Sequence, residues 1–109
     1  ERPVVRGIRG LEIKLISPKK GASLAADDIK FVWEAVPKAS RYFVELFGRS
    51  LEKVWRSGPL SAPMADLPTE VRSTVQEGET YFWRVTAVLE DGQEIVSKLA
   101  EFSIRRSSA

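Results

Sequence analysis

Residues 78–88 read "GETYFWRVTAV", and the alternation inside this stretch decides the fold. Successive side chains of a strand point to opposite faces. Tyr81, Trp83, Val85 and Ala87 therefore share one side, and Phe82, Arg84, Thr86 and Val88 the other. The first row is apolar and bulky, as a face laid against a core requires. The second mixes an aromatic, a cation, a hydroxyl and a valine. A strand is predicted over 80–89, with Gly78 before it and the hairpin-turn pair Asp91-Gly92 after it.

The same period extends outward in both directions. "LEIKLIS" (11–17) alternates until Pro18, with Leu11, Ile13 and Leu15 inward. Residues 18–28 read as a loop. "IKFVWEA" (29–35) puts Ile29, Phe31 and Trp33 inward. "RYFVELFG" (41–48) puts Tyr42, Val44 and Leu46 on one face and Phe43, Glu45 and Phe47 on the other. "LEKVWRS" (51–57) forms a hairpin with it. Pro59 and Pro63 leave room only for an edge strand over Met64 to Leu67. "TEVRSTVQEG" is the one helix-like piece, one or two turns long, with Thr69 as its cap and Gly78 as its stop. A final strand runs over 95–106. About seven short strands with regular turn signals predict an all-β, antiparallel β-sandwich over residues 11–105, with a flexible arm or linker over 1–10 and a tail over 106–109.

Composition fits this reading and narrows the function. The 109 residues fit one domain; 43% are hydrophobic and 29% charged, as in ordinary globular chains. With neither Cys nor His, disulfides, thiolate nucleophiles, Cys-ligated zinc and the commonest general base are all excluded. Serine–lysine spacings occur at Ser17–Lys20 and Ser50–Lys53, but with 17 basic residues in the chain such a pair arises by chance. The paired acids Asp27-Asp28, Glu77/Glu79 and Glu90-Asp91 all fall in predicted loops, where solvated carboxylates do no acid–base chemistry. No calcium-loop or phosphate-loop pattern occurs. No catalytic residue, cofactor or metal is expected. Net charge is only +2, and the basic excess gathers near the ends, at Arg2, Arg6, Arg9, Arg105 and Arg106. That is not the single basic face that nucleic acid needs.

Together, "P..G" at Pro18 and Gly21, "F.W" at Phe31 and Trp33, "A..Y.VEL" from Ala39 to Leu46, and "V..G..Y.WRV.A" from Val75 to Ala87 resemble a fibronectin type III domain. The resemblance implies that Trp33 plugs the space between two sheets. It also implies that Tyr81 forms a tyrosine corner, its hydroxyl returning to a backbone group near Val75 or Gln76. The longer segment before Tyr81, and Trp83 itself, look more like the bacterial version of the domain, common in extracytoplasmic parts of envelope proteins. Residues 6–21, "RGIRGLEIKLISPKKG", are similar to the segment following the membrane helix in some zinc-finger anti-sigma factors. The first residue is Glu1 rather than Met, so the chain reads as a piece of something longer. It is expected in the periplasm or at the cell surface, with membrane contact only through an anchor outside this sequence.

The outward row then becomes the candidate site. Phe82 and Arg84 should lie beside Phe43 and Phe47, with Leu99 flanking from the last strand and Trp55 joining from the hairpin, since Val54 is the better inward residue. Val88 is a further member, and Arg41, Glu45 and Arg84 supply a polar rim. A contiguous apolar patch of this kind marks a partner site. The expected role is a non-catalytic protein-interaction or spacer module. Candidate partners are a neighbouring domain or protein, a second copy in a homo-oligomer, or the helix or arm formed by residues 1–10. The alternative is a carbohydrate-binding sandwich that uses Trp55 as a platform.

Overall fold

In the computed structural model, which describes residues 12–105, the strand over Thr80–Leu89 (β7) is the centre of the larger sheet. It pairs antiparallel with Ala39–Phe47 (β4) on one side. On the other side it pairs with Glu94–Val96 (β8) and Ala100–Ile104 (β9). Lys53–Arg56 (β5) closes one edge through its hairpin with β4, and Ala22–Leu24 (β2) runs parallel to β9 at the other. The smaller sheet has the order β1-β3-β6, from Leu15–Ser17 (β1), Lys30–Trp33 (β3) and Met64–Asp66 (β6). The edge strand expected after Pro63 is therefore present. The arm over 1–10 and the tail over 106–109 lie outside the described residues.

The predicted inward rows meet between the sheets. Ile29, Phe31 and Trp33 from one sheet face Tyr42, Val44, Leu46, Tyr81, Trp83, Val85, Ala87, Phe102 and Ile104 from the other, all buried. Aromatic rings form the middle of this core. Phe31 and Trp83 are tilted 47° at 4.9 Å between centroids, and Trp33 meets Tyr42 edge-on at 5.4 Å. Such offset and edge contacts suit the ring quadrupoles and add to simple burial. The Tyr81 hydroxyl accepts the Gln76 backbone N–H at 2.9 Å, which is the corner expected from sequence. Tyr42 does the same for the Val36 N–H at 2.9 Å.

Four details depart from the sequence reading. The stretch 18–28 is not all loop, because it contains β2 and a single 3-10 turn at Ala26–Asp28. Among the described residues, the strand expected over 11–17 is regular only over Leu15–Ser17, although the Lys14 carbonyl still accepts the Glu34 N–H at 2.9 Å. The helix is one turn, Thr69–Arg72 (α1), with Pro68 in the cap position. Thr69 is its first helical residue and makes no cap. The last strand is broken at residues 97–99 into β8 and β9.

A pair of serines explains that break. Val44 and Val85 are register partners in the centre of the sheet. Ser57 follows β5 and Ser97 follows β8, one outside each valine. The Ser57 Oγ accepts the Val44 N–H at 2.9 Å and donates to the Gly58 carbonyl at 2.8 Å. The Ser97 Oγ accepts the Val85 N–H at 3.0 Å and donates to the Lys98 carbonyl at 2.9 Å. Each hydroxyl stands in for a strand carbonyl, so both flanking strands can leave the sheet at one level without orphaning a central amide. Ser57→Ala is expected to cost about 1–2 kcal/mol, because it leaves the buried Val44 N–H without an acceptor. Urea unfolding measures this, and an unchanged midpoint would contradict it.

Candidate functional site

On the outward face of the larger sheet, β5, β4 and β7 lie side by side. Register sets the neighbours: Phe47 opposes Phe82, Glu45 opposes Arg84, and Phe43 opposes Thr86. On the other side Glu45 opposes Arg56 and Phe47 opposes Lys53. Facing side chains on antiparallel strands interact directly. Phe43, Phe47, Phe82 and Arg84 are thus brought to one face, as parity predicts.

Glu45 organises it. Its Oε1 accepts Arg84 Nε at 2.8 Å. Its Oε2 lies 3.2 Å from Lys53 Nζ and 3.8 Å from Arg56 Nε. Only 7% of the residue is exposed. Burial alone would push the carboxyl up; hydrogen bonds from Arg84 and Lys53, together with their charges, outweigh it and hold the group below its ordinary value.

Two of the three rings are not bare. The Arg56 guanidinium lies over Phe43 at 4.2 Å from its centroid, and Arg41 approaches the same ring at 6.0 Å. Arg84 covers Phe47 at 5.1 Å. All three phenylalanines are half-buried. Over Phe43 and Phe47 the expected open apolar patch is instead a lattice of cations laid on rings, each such contact contributing about 0.5–1 kcal/mol at exposed sites, while Phe82 has no cation over it. Val88 is also less available than expected: it is buried, and it pairs with Arg41 and Glu94.

Two expected members lie elsewhere. Trp55 turns toward the core, pairing with Leu46 and stacking on Phe31 at 6.1 Å with 23° between planes. The cause is a bulge. Register shifts between Leu46 and Phe47, so Val54 has no opposite residue and the strand's parity changes. A ring held against Phe31 is no free sugar platform. Leu99 lies in the break between β8 and β9, where it lines a cleft of about 480 Å³ with Glu12, Ile13, Leu15 and Lys20.

Sequence reasoning missed that Lys53 and Arg56 converge on Glu45, because their side of the hairpin depends on that bulge. It also missed an apolar row across the smaller sheet, where Met64 (45% exposed) pairs with Val32 and Ile16 (43% exposed) lies on the next strand. Two of the loop acids have structural partners. Glu79 pairs with Arg49 at 3.7 Å. Gln93 donates to Asp91 from its backbone N–H and its side-chain amide, at 3.0 and 2.7 Å. Among the described residues no three acidic side chains converge as a metal site would.

Three solved structures share this architecture. Fibronectin(III)-like modules of CbhA from Clostridium thermocellum align with a TM-score of 0.59 at 21% identity, covering 89% of this chain and 99% of theirs. CopC from Methylosinus trichosporium gives 0.59 at 16% identity, covering 90% and 98%. A Fn3-like protein from Clostridium thermocellum gives 0.53 at 21% identity, covering 92% and 93%. No protein-family model and no curated protein sequence matches the chain. Likeness at these identities is likeness of fold: the chain is a fibronectin type III-like β-sandwich.

Proposed function

We propose that the domain is a non-catalytic interaction module of a longer bacterial envelope protein, positioned outside the cytoplasm, and that it contacts a protein partner or neighbouring domain through the β5–β4–β7 face. The observation that carries this reading is the lattice around Glu45. A merely solvated sheet face needs no buried carboxylate holding three cations in place, whereas a contact surface benefits from side chains already ordered before binding. Half-buried aromatics ringed by arginines are also the side chains that interfaces favour. The fold likeness to fibronectin type III-like modules supports a modular, non-catalytic role. The most specific form of the proposal is the outer domain of a membrane-anchored zinc-finger anti-sigma factor, supported by the likeness of residues 6–21.

The test is a double substitution, Phe43→Ser with Phe82→Ser, in the full-length parent. Neither ring belongs to the core cluster, so the domain should stay folded by circular dichroism. Self-association by sedimentation and affinity for the neighbouring domain are the readouts. A loss of about tenfold or more in either is expected. If both stay unchanged in a folded variant, the face is inert and the module is a spacer.

A further inference from the structure

We infer that the β5–β4–β7 face takes an acidic polypeptide segment, its carboxylates pairing with Arg41, Lys53 and Arg56 while an apolar side chain lies on Phe82. The inference rests on the interaction reading above and adds the chemistry of the partner.

Charge complementarity carries it. Four cations, Arg41, Lys53, Arg56 and Arg84, share the face with one carboxylate, and both oxygens of Glu45 are already engaged. Among the described residues Arg41 has no carboxylate within 4.0 Å, the limit for an ion pair. The side chains of Lys53 and Arg56 remain 53% and 48% exposed while held by Glu45. Their heads are fixed, yet they keep donors turned to water. Guanidinium is a planar, multi-donor group that matches a carboxylate in a bidentate fork. Two arginines ordered on Phe43 therefore present such forks without the usual loss of side-chain freedom.

The borders of the face favour a peptide over a nucleic acid. Exposed Glu101 pairs with Phe82, and exposed Glu94 with Val88. These acids end the positive field on the β8–β9 side. A nucleic acid carries closely spaced charge along its whole length and needs a longer basic track. A short segment with a few carboxylates needs only the strip between β5 and β7.

The experiment titrates the isotope-labelled 109-residue chain with a synthetic peptide that alternates glutamate and phenylalanine. Oligothymidylate and a lysine–phenylalanine peptide serve as comparisons. The expected result is amide shifts confined to β4, β5 and β7, binding that weakens with salt, and about tenfold weaker affinity in Arg41→Glu. Arg41 touches neither Glu45 nor the core, so this variant should fold as the parent does. Equal binding of oligothymidylate, or no effect of Arg41→Glu, would overturn the inference. If the acidic peptide fails to bind while Phe43→Ser with Phe82→Ser still abolishes partner contact, the face is an apolar site, and only the acidic chemistry is lost. If both tests fail, the interaction reading falls with it.

Discussion

Replacing Trp83 with alanine is expected to lower the unfolding free energy by about 3–5 kcal/mol. The side chain is fully buried, packed at 4.9 Å from Phe31 and 6.4 Å from Trp33 between ring centroids. Its indole Nε1 also donates to the Pro18 carbonyl at 3.2 Å, tying the chain before β2 to the centre of the sheet. Alanine would open a cavity that neighbouring rings cannot collapse to fill, and would leave that carbonyl without its donor. Domains of this size have total stabilities of about 5–15 kcal/mol, so the variant should sit near the folding threshold. Trp83→Phe keeps an aromatic plug and loses only part of the volume and the hydrogen bond, so it should recover much of the loss. Equilibrium urea unfolding of the three proteins measures both values. A cost below about 1 kcal/mol for alanine would mean that Trp83 does not hold the centre of the core.

Glu45→Ala is expected to cost about 2–3 kcal/mol. Removing the carboxylate breaks the 2.8 Å charge-assisted bond to Arg84 and leaves Lys53 and Arg56 facing Arg84 with no anion between them. The value lies below the 3–5 kcal/mol of a fully buried pair because the three cations are 38–53% exposed and can turn to water. The pH dependence has a definite sign. The folded carboxyl is held below its ordinary value, so the native state favours the ionised form. This stabilisation is complete above the unfolded pKa and is lost as pH falls through the folded one. Acidification below the ordinary glutamate range should therefore destabilise the parent more than Glu45→Gln, and the two stabilities should converge. Parallel acid-induced loss in both proteins would show that Glu45 makes no such contribution.

Much of this architecture was legible because it is written in period two. The inward residues of β3, β4 and β7 are those that alternation selects, since a sandwich strand with one buried face leaves no other register. The Tyr81 corner follows from the resemblance to fibronectin type III domains, which implies a tyrosine of this role at the head of that strand. What parity could not show depends on partners. Strand β2 is only Ala22–Leu24, too short to alternate, and it exists because β9 lies beside it. The break at 97–99 requires Ser97 to replace a carbonyl opposite Val85, a hydrogen bond no local pattern announces.

The candidate face divides the same way. Phe43, Phe47, Phe82 and Arg84 come together because β4 and β7 pair without a shift between Arg41 and Phe47. Trp55 escapes because one extra residue in the hairpin reverses its side. Glu45 reads from sequence as a rim residue, and only the convergence of Arg84, Lys53 and Arg56 makes it the centre.

The face as a preformed surface stands or falls with that centre. The most direct measurement follows the Glu45 side-chain carboxyl carbon by NMR as pH is lowered, in the parent and in Arg84→Met. The parent should titrate below an ordinary glutamate, and loss of Arg84 should move the midpoint upward. A midpoint at or above the ordinary value, unmoved by Arg84→Met, would mean that the cations do not converge on Glu45 and that the face is not organised in advance of a partner.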